Sequence, residues 1–424
     1  MRNFWCERAW LPDGVASRVL VEVDGGTIVS VSTVDTIPLG AERLYGLVLP
    51  GFANTHSHAF HRGLRGRTHA DGGTFWTWRE SMYALAGKLT PRTYFELARA
   101  VYAEMAVTGV TSVGEFHYLH DGADDMADAL RAAAEEVGLR LTLLTTCYLT
   151  GGIGRPLEGV QRRFTHGTVE NWQASIARQA GGPLFRAGGA IHSVRAVPRA
   201  AVADIAAAFP DRPLHVHLSE QPAENEDCLA AYGLTPTGVL AEAGALGPRT
   251  TAVHATHLTD EDIALLGGSG TTISLCPTTE ADLADGIGPA RALADAGSPL
   301  ALGSDQHAVI DLLLEARSLE YGERLRSGRR GNFTPAELVG ALTDHAAVGW
   351  PTAGRIEVGA AADFTAVRLD TARTAGTRPD QVVLTASAPD VSVVVVHGRV
   401  IARDGVHETL GDVPRLLTRA LEAL

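Results

Sequence analysis

Two histidines one residue apart, His56 and His58, follow an apolar run at residues 49–55. Such a run is typical of a buried strand. Side chains at positions i and i+2 of a strand point to the same face, so both imidazoles are expected to project together from the strand's end. Neutral imidazole is a common ligand of zinc and related ions. The pair therefore predicts part of a metal site.

Three further apolar segments end in metal-binding or proton-transfer residues. These residues are His215, His217 and Glu220 after residue 213, His254 after residue 250, and Asp305 after residue 298. The carboxyl ends of parallel strands meet at one face of a barrel, where barrel enzymes assemble their sites. The sequence thus predicts that side chains far apart in the chain converge at one face.

These residues have the types that metal-assisted hydrolysis requires. One divalent ion is expected, zinc first and Fe²⁺ or Mn²⁺ as alternatives, on His56, His58, His217 and Asp305. Glu220 is expected to act as general acid and base at a leaving nitrogen. His254 is expected to hold or polarise the attacking water, and Asp305 to take its proton. The predicted chemistry is hydrolysis of a carbon–nitrogen bond.

The number of metal ions is predicted from a scarcity of lysine. Barrel hydrolases with two metal ions commonly bridge them with a carbamylated lysine at a strand end. Lys88 is the only lysine of this chain, and it follows none of the predicted strands. One metal ion is therefore expected rather than two.

The elements that must position this chemistry follow from apolar patterning. Barrel strands are predicted near residues 47–56, 110–117, 139–147, 187–193, 213–219, 250–255, 271–276 and 298–304, with helices between them. This predicts an α/β fold, a (β/α)8 TIM-like metal-dependent hydrolase barrel over residues 49–355. The β-rich ends, residues 1–48 and 356–410, predict a small β-sandwich domain built from both termini, and residues 411–424 a C-terminal helix.

Composition excludes several classes of partner. The chain has 424 residues and a net charge of −13, and no cluster of basic residues stands out, so nucleic acid and anionic membranes are not expected partners. No apolar run approaches the ~20 residues of a membrane span. The charged N-terminus lacks the apolar core of a signal peptide. A cytoplasmic protein with a small-molecule partner is expected.

The order of these motifs resembles the amidohydrolase superfamily, in its mononuclear aminohydrolase branch. Within it the chain is similar, nearly end to end, to the formimidoylglutamate deiminases. The segments specific to this similarity are HSHAF at 56–60, FWTWRE at 75–80, GEFHY at 114–118 and HSVRAV at 192–197, whereas GRIEVGAAAD at 354–363 is similar to the superfamily's exit from the barrel. The resemblance implies zinc-dependent deimination of N-formimino-L-glutamate to N-formyl-L-glutamate and ammonia, in histidine degradation, by a homodimer. It also implies that Glu220 and His254 are catalytic.

The resemblance further implies a set of substrate-binding residues, Arg79, Tyr118, His192 and Arg195. The implied substrate is a dicarboxylate, which guanidinium groups bind bidentately. The family has glutamine where this chain has His61. At that position His61 is expected to donate one hydrogen bond to the substrate, or else to mark a relative that acts on another formimino or guanidino acid.

Two alternative functions stay open on the sequence alone. One is a related aminohydrolase acting on a nucleobase, a guanidino acid or a triazine. The other is a non-catalytic barrel used for assembly. Retention of every predicted ligand speaks against the second alternative.

Overall fold

The chain consists of a β-rich segment at each end and an alternating α/β segment between them. The computed structural model describes residues 1–69, 72–121 and 124–424. In chain order the strands are β1 (Arg2–Leu11), β2 (Gly14–Asp24), β3 (Thr27–Thr33), β4 (Glu42–Pro50), β5 (Phe52–Ser57), β6 (Val110–His117), β7 (Arg140–Cys147), β8 (Phe185–Ile191), β9 (Leu214–Leu218), β10 (Thr250–His254), β11 (Thr272–Leu275), β12 (Leu300–Leu302), β13 (Phe364–Val367), β14 (Val391–Val396), β15 (Arg399–Arg403) and β16 (Val406–His407). The helices are α1 (Phe75–Ala86), α2 (Pro91–Val107), α3 (Asp125–Val137), α4 (Val169–Arg178), α5 (Arg199–Ala208), α6 (Pro222–Tyr232), α7 (Pro236–Glu242), α8 (Asp260–Ser269), α9 (Pro277–Asp282), α10 (Ala290–Ala296), α11 (Leu312–Ser327), α12 (Pro335–Leu342) and α13 (Val413–Glu422).

Strands β5 to β12 form the barrel. They lie side by side in chain order, and the neighbouring strands pair in parallel. Helices cross between them, as a parallel sheet requires. The predicted (β/α)8 fold class is confirmed. Helix α2 begins with the usual N-terminal capping residues: Pro91 is its first residue, and the Thr90 side chain accepts a hydrogen bond from the Thr93 backbone N–H.

The barrel closes between β12 and β5 through backbone hydrogen bonds. The carbonyl oxygen of His56 accepts from the N–H groups of Ser304 and Asp305, at 3.1 and 3.0 Å. The N–H of His58 donates to the carbonyl of Asp305 at 3.2 Å. Closure of the barrel therefore places Asp305 directly beside the histidine pair of β5.

The remaining strands form one mixed, eight-stranded sheet from both termini, in the order β16-β15-β14-β13-β4-β1-β2-β3. Within it β1 and β4 are parallel, whereas β4 and β13 are antiparallel and join the two ends of the chain. Its apolar face buries Phe4, Val21, Leu44 and Phe364 in a core of its own. Helix α13 returns to the barrel, where Val413, Leu417 and Ala420 are buried in the larger core.

A buried ion pair joins the terminal sheet to the barrel. Arg140, the first residue of β7, donates from Nε and Nη2 to the two carboxylate oxygens of Asp363, at 2.6 and 3.2 Å. The backbone N–H of His397 donates to the same carboxylate at 2.7 Å.

No helix among the described residues is both long enough and apolar enough to cross a membrane.

Candidate active site

The four predicted metal ligands meet at the carboxyl ends of β5, β9 and β12. Nε2 of His56 lies 3.2 Å from Nε2 of His217 and 3.3 Å from Oδ1 of Asp305. Nε2 of His58 lies 3.4 Å from the same carboxylate oxygen. Zn–N bonds of about 2.0–2.1 Å at tetrahedral angles separate ligand atoms by roughly 3.3 Å. The spacing of these donor atoms therefore fits coordination of one ion by all four side chains.

Hydrogen bonds on the far side of two imidazoles support the same conclusion. Nδ1 of His58 donates to the carbonyl of Phe116 at 2.8 Å, and Nδ1 of His217 donates to the carbonyl of His192 at 2.9 Å. A neutral imidazole with its proton on Nδ1 presents a lone pair at Nε2. These lone pairs and the Asp305 carboxylate face one another, which is repulsive unless a cation lies among them. The donor set is a buried metal site.

The protonation states of the histidines also suit metal binding. Burial, reinforced by the neighbouring His56, lowers the pKa of His58 to about 3. Burial likewise lowers the pKa values of His56 and His217 well below the ordinary value. All three imidazoles are therefore neutral at pH 7, which is the form that binds a metal ion.

Glu220 and His254 stand beside the ligand cluster. Nε2 of His254 lies 3.7 Å from Oε1 of Glu220 and 3.9 Å from Oδ2 of Asp305. Burial opposes the charged form of His254, but Glu220, Glu280 and Asp305 outweigh it and raise its pKa to about 10. A divalent cation beside Asp305 would act in the opposite direction. The three groups are close enough to exchange a proton through one water molecule.

The backbone is strained where it presents these residues. His254 and Asp305 adopt positive φ angles of 70° and 41°, and Ser219, which precedes Glu220, has φ of 49°. Non-glycine residues rarely adopt this left-handed conformation, and such strain gathers at functional sites. At these positions the sharp change of direction after the strand turns a polar side chain into the barrel mouth.

A cavity of about 150 Å³ opens above the cluster. All five residues predicted to contact a substrate line it: His61, Arg79, Tyr118, His192 and Arg195. His58, His217, Glu220, His254 and Asp305 line its floor, and aromatic rings of Phe75, Trp76, Trp78 and Tyr148 form part of its walls. The structure thus brings the sequence-predicted residues to one cavity, except His56, which is fully buried beneath it, and His215, which lies in the barrel core.

The two predicted arginines differ in their surroundings. The Arg195 guanidinium donates from Nη2 to Oε2 of Glu220 at 3.2 Å, and its Nε lies 3.4 Å from Oε2 of Glu224. The Arg79 guanidinium lies over the Trp76 ring, 4.5 Å from its centroid, and has no carboxylate partner among the described residues. Arg79 is therefore available to an anionic ligand, whereas Arg195 is already paired with Glu220, the predicted general acid and base.

His61 lies in a 3₁₀ turn that follows β5, residues Ala59–Leu64. Its Nε2 is 2.8 Å from the hydroxyl of Tyr118, so the two predicted substrate residues are joined to each other. Its Nδ1 is buried and has no partner among the described residues. His61 thus retains one free ring nitrogen beside the cavity.

Sequence reasoning missed a hydrogen-bonded chain beneath the ligands. The hydroxyl of Ser57 lies 2.7 Å from the Glu115 carboxylate and 3.2 Å from Nε2 of His307, and Nδ1 of His307 lies 2.9 Å from Ser304 Oγ. Glu115 also accepts from the Ala59 backbone N–H at 2.7 Å. This chain, which we call the Glu115 network, clamps the segment that carries His56 and His58. A carboxylate inside the apolar strand β6 was the available signal.

Two more buried carboxylates escaped the sequence analysis. Glu280 on α9 approaches Nδ1 of His254 at 3.4 Å, and Glu224 on α6 pairs with Arg195. Other histidines near the site are held by backbone groups: Nε2 of His215 donates to the carbonyl of Ala347, and Nε2 of His257 to that of Asp285, both at 2.8 Å. His215 therefore lies in the barrel core, bonded to the backbone, and is not one of the clustered ligands.

The sequence matches a known protein family over most of its length. The model of the amidohydrolase family matches residues 47–401. This chain belongs to the amidohydrolase family. Formimidoylglutamate deiminase of Pseudomonas aeruginosa is 36% identical over 96% of both chains, and 8-oxoguanine deaminase of the same organism is 32% identical over 88% of this chain and 86% of its own.

Solved structures of other proteins have the same fold as this chain. An amidohydrolase from Brucella melitensis superposes with a TM-score of 0.91 at 33% identity, over 100% of this chain and 99% of its own. Atrazine chlorohydrolase from Arthrobacter aurescens, complexed with zinc, gives a TM-score of 0.89 at 24% identity over the same shares, which shows the fold alone. The protein is a metal-dependent amidohydrolase, a hydrolase acting on carbon–nitrogen bonds.

Proposed function

We propose that this amidohydrolase converts N-formimino-L-glutamate to N-formyl-L-glutamate and ammonia. The observation that carries the proposal is the cavity that joins the metal site and Glu220 to Arg79, a cation with no carboxylate partner among the described residues. The 36% identity to a formimidoylglutamate deiminase supports the same substrate. A small dicarboxylate is the partner expected for a cavity with arginines in its wall.

The proposed mechanism assigns each step to a residue of this chain. His56, His58, His217 and Asp305 hold one divalent ion, zinc by preference, which when bound lowers the pKa of a water molecule from 15.7 to about 7. The oxygen of the attacking water forms a bond to the formimino carbon, and both protons of that water end on the formimino nitrogen, one through Glu220 and one by way of Asp305, so that ammonia leaves as the carbon–nitrogen bond breaks. His254 orients the attacking water, and Asp305 accepts its proton.

The substrate-binding residues complete the proposal. Arg79 binds one carboxylate through charge-assisted hydrogen bonds. Arg195 binds the other while it keeps its contact with Glu220, and His61, Tyr118 and His192 donate to the substrate from the cavity wall. The homodimer implied by the family resemblance belongs to the same proposal, and light scattering on the purified protein tests it.

A second candidate is an aminohydrolase that acts on a nucleobase. The aromatic walls of the cavity suit a flat ring, and 8-oxoguanine deaminase is 32% identical. The cavity also contains the guanidinium groups of Arg79 and Arg195, which a neutral ring does not need. These groups favour the dicarboxylate as the substrate.

Ammonia release tests the two candidates against each other. We expect the zinc-loaded protein to release ammonia from N-formimino-L-glutamate, and Glu220→Gln to lower kcat by about 10²–10⁴-fold while its zinc content stays unchanged. Release from 8-oxoguanine, with none from the formimino acid, would reject the proposed substrate and leave the catalytic assignment standing.

A further inference from the structure

Glu280 lies immediately beyond the barrel strand β11, which contributes none of the residues predicted from the sequence. It follows the turn at Cys276 and Pro277 and projects back toward the barrel mouth from helix α9. Its side chain is buried, and its Oε1 accepts a hydrogen bond from the Cys276 backbone N–H at 2.9 Å. One carboxylate oxygen is thereby fixed against the end of β11.

The same oxygen atom faces His254. Oε1 of Glu280 lies 3.4 Å from Nδ1 of His254, whereas Glu220 and Asp305 approach the opposite ring nitrogen, Nε2. An ionised carboxylate can only accept hydrogen bonds. In this contact Nδ1 is therefore the donor, whether the imidazole is neutral or charged. Hydrogen bonds of this kind are often long before substrate binds and shorten in the reacting complex.

A second buried carboxylate holds the support of Glu280 in place. Glu315 on α11 is fully buried, and it accepts from the backbone N–H of Thr278 at 2.9 Å and from the Thr278 hydroxyl at 2.5 Å. These bonds tie the first turn of α9 to α11. Glu280 thus projects from an anchored helix end, which is what orientation of a partner side chain requires.

We propose that Glu280 is a positioning residue that fixes His254 with its proton on Nδ1 and turns Nε2 toward the reacting groups. The ring edge that faces Glu220 and Asp305 is then the same in every turnover. The left-handed backbone of His254, with φ of 70°, places the imidazole between the two carboxylate sides. This inference rests on the catalytic position of His254 in the proposed function but is independent of the substrate.

A spectroscopic measurement tests the proton position without turnover. The zinc-loaded protein is prepared with ¹⁵N-labelled histidine, and the His254 signal among the 16 histidines is assigned by its loss in His254→Asn. We expect the wild type to show a protonated Nδ1 on His254. Glu280→Met should abolish that hydrogen-bonded proton signal, and Glu280→Gln should retain it at a lower chemical shift, because a neutral oxygen is a weaker acceptor.

Kinetics separate positioning from a structural role. Glu280→Met should lower kcat about 10–100-fold, the usual cost of losing a residue that orients an active-site histidine, with KM within roughly twofold. Glu320→Met, which removes an equally buried carboxylate on α11 that bonds neither His254 nor the helix end of Glu280, is the matched control. It should keep both the Nδ1 signal and kcat.

The outcomes are distinct. An Nδ1 without a proton in the wild type overturns the inference, as does an unchanged His254 signal in a folded Glu280→Met. If Glu280→Met does not fold, an unchanged signal in Glu280→Gln overturns it equally. A wild type with the expected signal that does not act on N-formimino-L-glutamate would reject the proposed substrate alone.

Discussion

Arg79 and Arg195 line the same cavity in different electrostatic settings. Arg79 stacks on Trp76 without a carboxylate partner among the described residues, whereas Arg195 contacts both Glu220 and Glu224. An arginine whose charge is already balanced contributes less to the capture of an anion. It can, however, hold the carboxylate of a general acid in place. The two residues should therefore affect different kinetic constants.

Replacing the arginines one at a time tests this difference. We expect Arg79→Met to raise KM for N-formimino-L-glutamate by roughly 10–100-fold with a smaller change in kcat, because hydrogen bonds to charged groups contribute about 1.5–3 kcal/mol. Arg195→Met should lower kcat as well, because Glu220 loses its cation. Steady-state kinetics measure both constants, with Arg92→Met on the exposed face of α2 as control. Equal effects of both variants on KM alone would contradict the assignment.

Single residues also mark how far the sequence could lead. The ligands His56 and His58 were predictable because the spacing of i and i+2 in a strand is a local property. Glu280 was not predictable, because its contact with His254 spans 26 residues and exists only after β10 and β11 lie side by side. The pairing of Arg195 with Glu220 was missed for the same reason.

At the scale of elements, the Glu115 network links three barrel strands beneath the metal site. A consistent direction of donation runs from Asn54 through Ser304, His307 and Ser57 to the Glu115 carboxylate. Each hydroxyl can donate once and accept once along this chain. The network fixes the strand ends that carry the ligands, which is how outer hydrogen bonds tune metal sites.

Metal affinity should therefore depend on Glu115. We expect Glu115→Gln to weaken zinc binding about 10–100-fold, because a carboxamide brings donors into a position that only accepts. Competition with a chromophoric chelator measures the dissociation constant. Glu315→Gln is the control, since that equally buried carboxylate on α11 binds Thr278 and contacts none of the four ligands. Equal affinities in the two variants would refute a role for the network.

The strands were the most predictable elements. Their apolar runs place β6 at Val110–His117 and β9 at Leu214–Leu218, as expected from 110–117 and 213–219. The turns after the strands were not predictable. Left-handed conformations at His254 and Asp305 are set by barrel closure rather than by local preference, because non-glycine residues disfavour them.

Across the whole molecule, many histidines are buried without charge. Burial lowers the pKa of His117 and of His215 from 6.5 to about 3 and about 4. The unfolded chain binds a proton at each as pH falls below 6.5, whereas the folded chain does so only near the lowered pKa. The contribution of these neutral histidines to the free energy of unfolding is therefore fully present above pH 6.5. It is lost as the pH falls from 6.5 toward the lowered pKa values of His117 and His215.

His117 offers a test of this linkage, since neither of its ring nitrogens has a partner among the described residues. We expect His117→Phe to be more stable than the wild type, because an unpartnered polar group leaves the interior. The advantage should grow by about 1.4 kcal/mol per pH unit below 6.5. Urea unfolding of both proteins at pH 7, 6 and 5 measures it, and parallel pH dependences would contradict the account.

The overall architecture could be predicted because each level of the sequence agrees with it. Strand β4 leads directly into β5, so the terminal sheet and the barrel are continuous in the chain. The sequence still distinguishes them, because polar and apolar residues alternate in the strands of the terminal sheet whereas the barrel strands are apolar runs. The contacts between them could not be predicted. Arg140 and Asp363 are 223 positions apart in the chain, and no local sequence pattern predicts that they pair.

The proposed chemistry depends on one divalent ion bound to three imidazoles and one carboxylate at the ends of three barrel strands. X-ray absorption at the zinc edge, combined with metal analysis of the purified protein, measures this most directly. We expect one ion per chain with nitrogen and oxygen neighbours only, and loss of that ion in His217→Ala. Two ions per chain, a sulfur ligand from a cysteine, or full occupancy in His217→Ala would contradict it.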